Sequence, residues 1–124
     1  MKEKIFVKKV RARAKTQYHK LKQRECFVCG SSTNLELHHV IPLSVIIKEY
    51  LNQKERGGKT DEELVSLILK ECTEIFIPEN CVTLCKIHHS NLHNLFGMSY
   101  SRKTAEKTRT YLIKQKEKVY GKIH

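Results

Sequence analysis

At 124 residues the chain holds one ordinary domain rather than two, and 40% hydrophobic residues leave room for a small core. A formal charge of +11 points to a polyanionic partner, and no apolar run approaches the length of a membrane-spanning helix. The charge is localised: residues 1–24 carry ten Lys or Arg and one acid, residues 101–124 eight and two, and residues 49–79 four against eight acids.

That distribution favours a nucleic acid over a merely solvated surface. The opening stretch MKEKIFVKKVRARAK lacks the apolar segment and cleavage site of a secretory signal, so the cytoplasm is the expected location. There, five cysteines are expected to be metal ligands or free thiols rather than disulfides.

In chain order, Val7, Val10, Ala14, Tyr18 and Leu21 are spaced three or four apart and predict one apolar helix face over residues 5–24. Lys8, Lys9, Arg11, Arg13, Lys15 and Lys22 cover the remainder. CFVCGSSTN predicts a tight loop, and LELHHVI a short strand ended by Pro42. Residues 44–55 and 60–72 predict two helices joined by RGGK, with Gly57 and Gly58 stopping the first. Thr60 and Glu63 predict a capping box for the second, whose apolar face is Leu64, Leu67, Ile68 and Cys72. IFIPEN predicts an extended piece, CVTLC a second strand, KIHHSNLHNLF a helix stopped by Gly97, and residues 101–119 a basic terminal helix.

Cys26-x-x-Cys29-Gly30 and Cys85-x-x-His88 have the spacing of two knuckle pairs. A two-residue gap lets both side chains of a pair reach one ion, and two pairs close a tetrahedron of thiolate and imidazole. The expected site is structural zinc, with the alternative of free thiols set behind it because so small a core needs a staple. Cys72 and Cys81 fall outside this scheme and are expected in the core.

His89 and His93 are four apart on the predicted helix and share a face, whereas His88 is rotated by about 100° and points elsewhere. One short helix can thus serve two ions. A third ligand is expected from the pair His38–His39. Adjacent strand residues point to opposite faces, so one would join the ion and the other stay free as a general base.

LELHHVIP followed by ENCVTLCKIHHSNLH resembles the HNH endonuclease motif, in the zinc-ribbon branch of that family. The resemblance covers residues 26–43 and 78–95. It implies an α+β fold: a ββα-metal (His-Me finger) core over residues 26–97, stapled by the zinc knuckle. A basic helix at 1–24, a helical insertion at 44–74 and a basic helix at 101–120 would complete a single nuclease domain. By position it implies His38, His89 and His93 as metal ligands, His39 as general base, Asn80 as the residue orienting that base and its loop, and Cys26, Cys29, Cys85 and His88 as zinc ligands. His88 stands where the family usually has Cys. The stretch between His39 and Asn80 is longer than the family's loop; its acidic balance argues against lying along DNA, and of packing on the core, contacting a partner or a mere structural elaboration, the last is expected.

The implied activity is hydrolysis of DNA phosphodiester bonds with one divalent ion, Mg2+ or Mn2+ first, Zn2+ or Ni2+ next. The substrate would be double-stranded DNA, gripped by Arg11, Arg13, Arg102 and Arg109. A phage or mobile-element origin and a bacterial host cytoplasm follow, with no membrane and either a monomer or a dimer. The rivals are a zinc-ribbon module that only binds nucleic acid, and a related ribonuclease. A zinc deaminase is set aside, because Glu36-Leu37-His38 reverses the required His-x-Glu order and neither Cys pair follows a proline.

Overall fold

A computed structural model of the chain describes residues 2–53 and 57–121. The last two residues of the predicted helix 44–55, Arg56 of the RGGK joint, and residues 1 and 122–124 of the expected domain lie outside the described residues. The fold is α+β and mostly helical, in the order α1 Lys2–Leu21, β1 Leu35–His39, α2 Leu43–Gln53, α3 Asp61–Glu71, β2 Cys81–Cys85, α4 Lys86–Phe96 and α5 Arg102–Gly121.

The predicted apolar face buries α1. Val10 and Ala14 are fully buried, Val7, Tyr18 and Leu21 partly so, and Phe6, which lies outside the predicted pattern, is buried with them. Helix α3 begins as the sequence requires. Thr60 Oγ1 accepts the Glu63 amide at 3.2 Å, and Glu63 Oε1 accepts the Thr60 amide at 3.2 Å. Asp61, Glu62 and Glu63 place negative charge at the positive end of the helix dipole. Val65 joins Leu64 and Ile68 on the buried face, while Leu67 is only partly covered.

Residues 44–74 are not a loose elaboration. Leu43, Ile46, Ile47 and Tyr50 of α2 and Leu64, Val65 and Ile68 of α3 pack with Phe6, Val10 and Ile75 into one apolar cluster. Each such side chain, fully buried, contributes about 1.5–3 kcal/mol. The insertion therefore supplies most of the core that fixes α1. A second cluster joins Cys26, Val28, Leu84, Cys85, Leu92 and Leu112, tying the loop after α1 to β2, α4 and α5.

The strands pair antiparallel, with Leu35 opposite Cys85 and His39 opposite Cys81. β1 is shorter than the LELHHVI pattern. Beyond His39, the Val40 amide donates to the Asn80 carbonyl at 2.9 Å and the Ile41 amide to the Asn80 side chain at 2.7 Å. Pairing with one residue's backbone and side chain replaces the ladder and bends the chain toward Pro42. IFIPEN is likewise not extended throughout: Ile75 closes one 3-10 turn, Thr73–Ile75, and Pro78–Asn80 forms a second. Proline sits at the start of the second turn, where its missing N–H costs nothing.

Candidate functional site

The loop between α1 and β1 presents Cys26 and Cys29 by folding back on itself. The Gly30 amide donates to the Cys26 carbonyl at 2.9 Å and the Cys26 amide to the Ser31 carbonyl at 2.8 Å. Gly30 has φ +74° and lies so close to α5 that a Cβ there would meet Tyr120 Oη at 2.8 Å. Cys85 ends β2, and His88 sits in the first turn of α4. Cys29 Sγ is 3.9 Å from Cys85 Sγ, and His88 Nδ1 is 3.2 Å from Cys85 Sγ and 3.9 Å from Cys26 Sγ. Zn–S bonds of about 2.3 Å in a tetrahedron set edges of about 3.8 Å. The four ligand atoms thus fit one zinc-sized ion, and the four residues could hold a metal.

Burial, the largest influence, pushes the Cys26 thiol up, but hydrogen bonds from the backbone of Cys85, Cys29 and Val28 bring it net below the usual thiol range. The Cys29 thiol is raised, chiefly by burial. Cys72 and Cys81 lie outside the cluster, Cys81 buried and Cys72 partly so, and burial pushes each up to about 11. Both stay thiols, in keeping with a packing role.

His38 of β1 and His89 and His93 of α4 form a second group that could hold a metal. His38 Nδ1 is 3.2 Å from His89 Nε2, and His93 Nε2 is 2.9 Å from His89 Nε2. The opposite nitrogen of each ring is occupied. His89 Nδ1 meets Glu36 Oε1 at 2.9 Å, His93 Nδ1 meets the Gly97 carbonyl at 2.9 Å, and His38 Nε2 meets Tyr100 Oη at 3.0 Å. Carboxylates and carbonyls accept, so His89 and His93 carry their protons outward and turn lone pairs inward, the arrangement of imidazoles around an ion. Burial, then the neighbouring His89, His93 and His39, pulls His38 down to about 3, so it is neutral and available as a ligand.

His39 faces another way. Its Nε2 meets the Ile75 carbonyl at 3.0 Å, and its ring stands edge-on to Tyr18 at 5.1 Å. A carbonyl only accepts, so Nε2 carries the proton and Nδ1 keeps the lone pair. Burial lowers its affinity for a second proton; the Ile75 bond opposes this and Arg11 adds to it. Its ring nonetheless lines the cleft that holds the trio. That cleft, of 420 Å3, is lined by Arg11, Tyr18, His38, His39, His89 and His93, among others.

Asn80 is buried and meets the backbone rather than the imidazole. It accepts from the Ile41 amide at 2.7 Å and donates to the carbonyls of Glu74 at 3.0 Å and Ile41 at 3.4 Å. Ile41 is two residues past His39, and Glu74 precedes the carbonyl that holds the ring.

The four arginines expected to grip a polyanion are not equivalent. Arg102 bonds Glu49 at 2.6 Å and Glu74 at 2.8 Å, Arg13 bonds Ser66, and Arg109 reaches the Glu79 carbonyl. Arg11 lines the cleft itself. Shallow grooves carrying Lys15, His19 and Lys22, and Lys4, Lys8 and Arg11, border it along α1. Glu36 and Tyr100 join the site without belonging to either ligand motif. Glu36 carries a usable signal: it is two before His38, hence on the same strand face. Tyr100 carries none, lying 62 residues from its partner.

A model described as the nicking endonuclease family matches residues 2–122. No solved structure matches the chain. Among the described residues, no helix is long and apolar enough to cross a membrane.

Proposed function

Since the chain belongs to the nicking endonuclease family, we propose that it hydrolyses one strand of duplex DNA with a divalent ion in an HNH-type ββα-metal site. The observation that carries this reading is one cleft lined by four histidines, three converging at 2.9–3.2 Å and the fourth held apart by a backbone carbonyl. The unit β1–β2–α4 is the proposed ββα core, with Cys26, Cys29, Cys85 and His88 holding structural zinc.

His38, His89 and His93 would hold the catalytic ion. When bound, such an ion supplies Lewis-acid neutralisation of charge on the scissile phosphate and departing oxygen. Mg2+ or Mn2+ suits phosphate chemistry, whereas three imidazoles also suit Zn2+ or Ni2+. His39, neutral and with Nδ1 unprotonated, takes the proton of the attacking water. The water oxygen bonds to phosphorus, the P–O3′ bond breaks, and the 3′ oxygen takes a proton from solvent, leaving 5′-phosphate and 3′-hydroxyl ends. Asn80 acts through the backbone, holding Ile41 just past His39 and Glu74 next to the carbonyl that bonds the His39 ring. Arg11 and the lysines of α1 position phosphates without reading sequence. One such centre cuts one strand per encounter, in the bacterial host's cytoplasm if the gene is a phage's.

The test is relaxation of supercoiled plasmid with each divalent ion, comparing the wild type with His39→Ala. Nicking reduced about 10^2–10^4-fold in the variant, at unchanged DNA binding, is the expected result. A wild type that binds DNA and cuts with no ion would make it a binding module. Preferential cleavage of RNA would make it a ribonuclease.

A further inference from the structure

We propose that Tyr100, in the linker between α4 and α5, is a positioning residue that sets how tightly the three-histidine group holds its cation. The proposal rests on the metal reading above and adds a residue outside the strand–strand–helix unit.

Tyr100 is buried, and its hydroxyl touches both members of the His38–His39 pair: His38 Nε2 at 3.0 Å and the His39 carbonyl at 3.4 Å. The carbonyl can only accept, so the phenol donates to it. Its oxygen, also bonded by the Thr108 side chain, can then accept from His38 Nε2–H, which would fix the tautomer and leave the Nδ1 lone pair aimed at His89 and His93. His38 is only 3% exposed, so water offers no substitute.

Without the hydroxyl, Nε2–H is buried without a partner. The competing tautomer carries its proton on Nδ1, where His89 Nε2 at 3.2 Å can accept it. That proton occupies the position a cation needs. The hydroxyl therefore selects the ligand-ready form over a self-bonded one.

The linker is built to hold this contact. Tyr100 packs with Val40 and with Ala105 from the start of α5. At the linker's other end, Gly97 has φ 87° and ψ 172°, a region essentially restricted to glycine, and its carbonyl receives His93 Nδ1. Two of the three imidazoles are thus braced by the same connection, residues 97–101.

The experiment titrates Co2+ into full-length protein already carrying one equivalent of zinc, for the wild type and Tyr100→Phe. The d–d absorption reports the imidazole site, and a thiolate-to-cobalt band would reveal any invasion of the knuckle. Tyr100→Phe keeps the ring and removes the hydroxyl. The expected result is Co2+ binding weaker by about 10–100-fold, the usual cost of losing an outer partner of a ligand histidine. Long-range 1H–15N correlation should show His38 protonated on Nε2 in the cation-free wild type and partly on Nδ1 in the variant. Equal affinities in folded proteins would overturn the role of Tyr100 alone. A wild type that takes up no second ion would overturn the metal reading with it. If the variant does not fold, the wild-type spectrum decides: a proton on His38 Nδ1 overturns the proposal.

Discussion

The side-chain oxygen of Asn80 accepts the amide hydrogen of Ile41 at 2.7 Å, joining residues 39 apart in sequence. Its NH2 group donates to the Glu74 carbonyl at 3.0 Å. Asn80 thereby clamps the end of β1 to the turn that carries Ile75, and the Ile75 carbonyl holds the His39 ring. Asn80→Ala would strand the Ile41 amide and the Glu74 carbonyl. It should lose about 2–6 kcal/mol of unfolding free energy, from two unsatisfied groups at about 1–3 kcal/mol each, and most of its nicking. Urea unfolding checks this; a wild-type midpoint would refute the clamp.

Arg11 and Arg102 should separate by salt dependence. Arg11→Ala removes a cation from the cleft and should flatten the slope of log affinity against log salt by about 0.9. Arg102 is already committed to Glu49 and Glu74, so Arg102→Ala should leave that slope unchanged. Its own cost is stability: the side chain is 42% exposed, which limits the loss to about 1 kcal/mol or less. Fluorescence anisotropy on a duplex at several salt concentrations measures the first effect, and thermal unfolding the second.

Removing the zinc proposed for Cys26, Cys29, Cys85 and His88 should loosen the half of the molecule built on Cys26, Val28, Cys85 and Leu112. Metal binding to such a cluster is folding free energy, so a chelator should lower the melting temperature and first expose α5 to amide hydrogen exchange. Cys85→Ser should lose zinc, whereas Cys72→Ser should retain one equivalent. Elemental analysis with hydrogen exchange reads both; equal zinc in the two variants would remove Cys85 from the site.

Helices α2 and α3 should be indispensable. Ile47 and Ile68 are fully buried against α1, so Ile47→Ala and Ile68→Ala should each cost about 2–4 kcal/mol through lost burial and the cavity left behind. Both also loosen the helix that brings Arg11 and Tyr18 to the cleft, so DNA affinity should fall with stability. Variants that melt with the wild type would refute a core role for α2 and α3.

Much of this architecture is legible in local spacing. The α1 face, the α3 capping box, the second strand and the bounds of α4 are written in spacings of two to four residues. The two ligand groups are legible for the same reason: paired spacings on short elements leave few geometries by which side chains converge. The turns at Thr73–Ile75 and Pro78–Asn80 are hidden because the apolar run before Pro78 reads as extended chain, while its backbone obeys the buried Asn80 side chain. The importance of α2 and α3 is hidden because an acidic surface says nothing about what the apolar faces beneath it cover.

By itself, the sequence determined which cysteines and histidines could hold a metal, their grouping into a thiolate-rich and an imidazole-rich set, and a basic helix at each end. Each of these needs only local periodicity and the chemistry of the residue types. Tertiary structure alone decided which arginine stays in the cleft and which is bound to carboxylates, that Asn80 bonds the backbone rather than the imidazole, and that Glu36, Gly97 and Tyr100 contact the imidazoles. Several of these contacts join elements far apart along the chain. They follow from how the helices pack around the sheet, which local spacing does not encode.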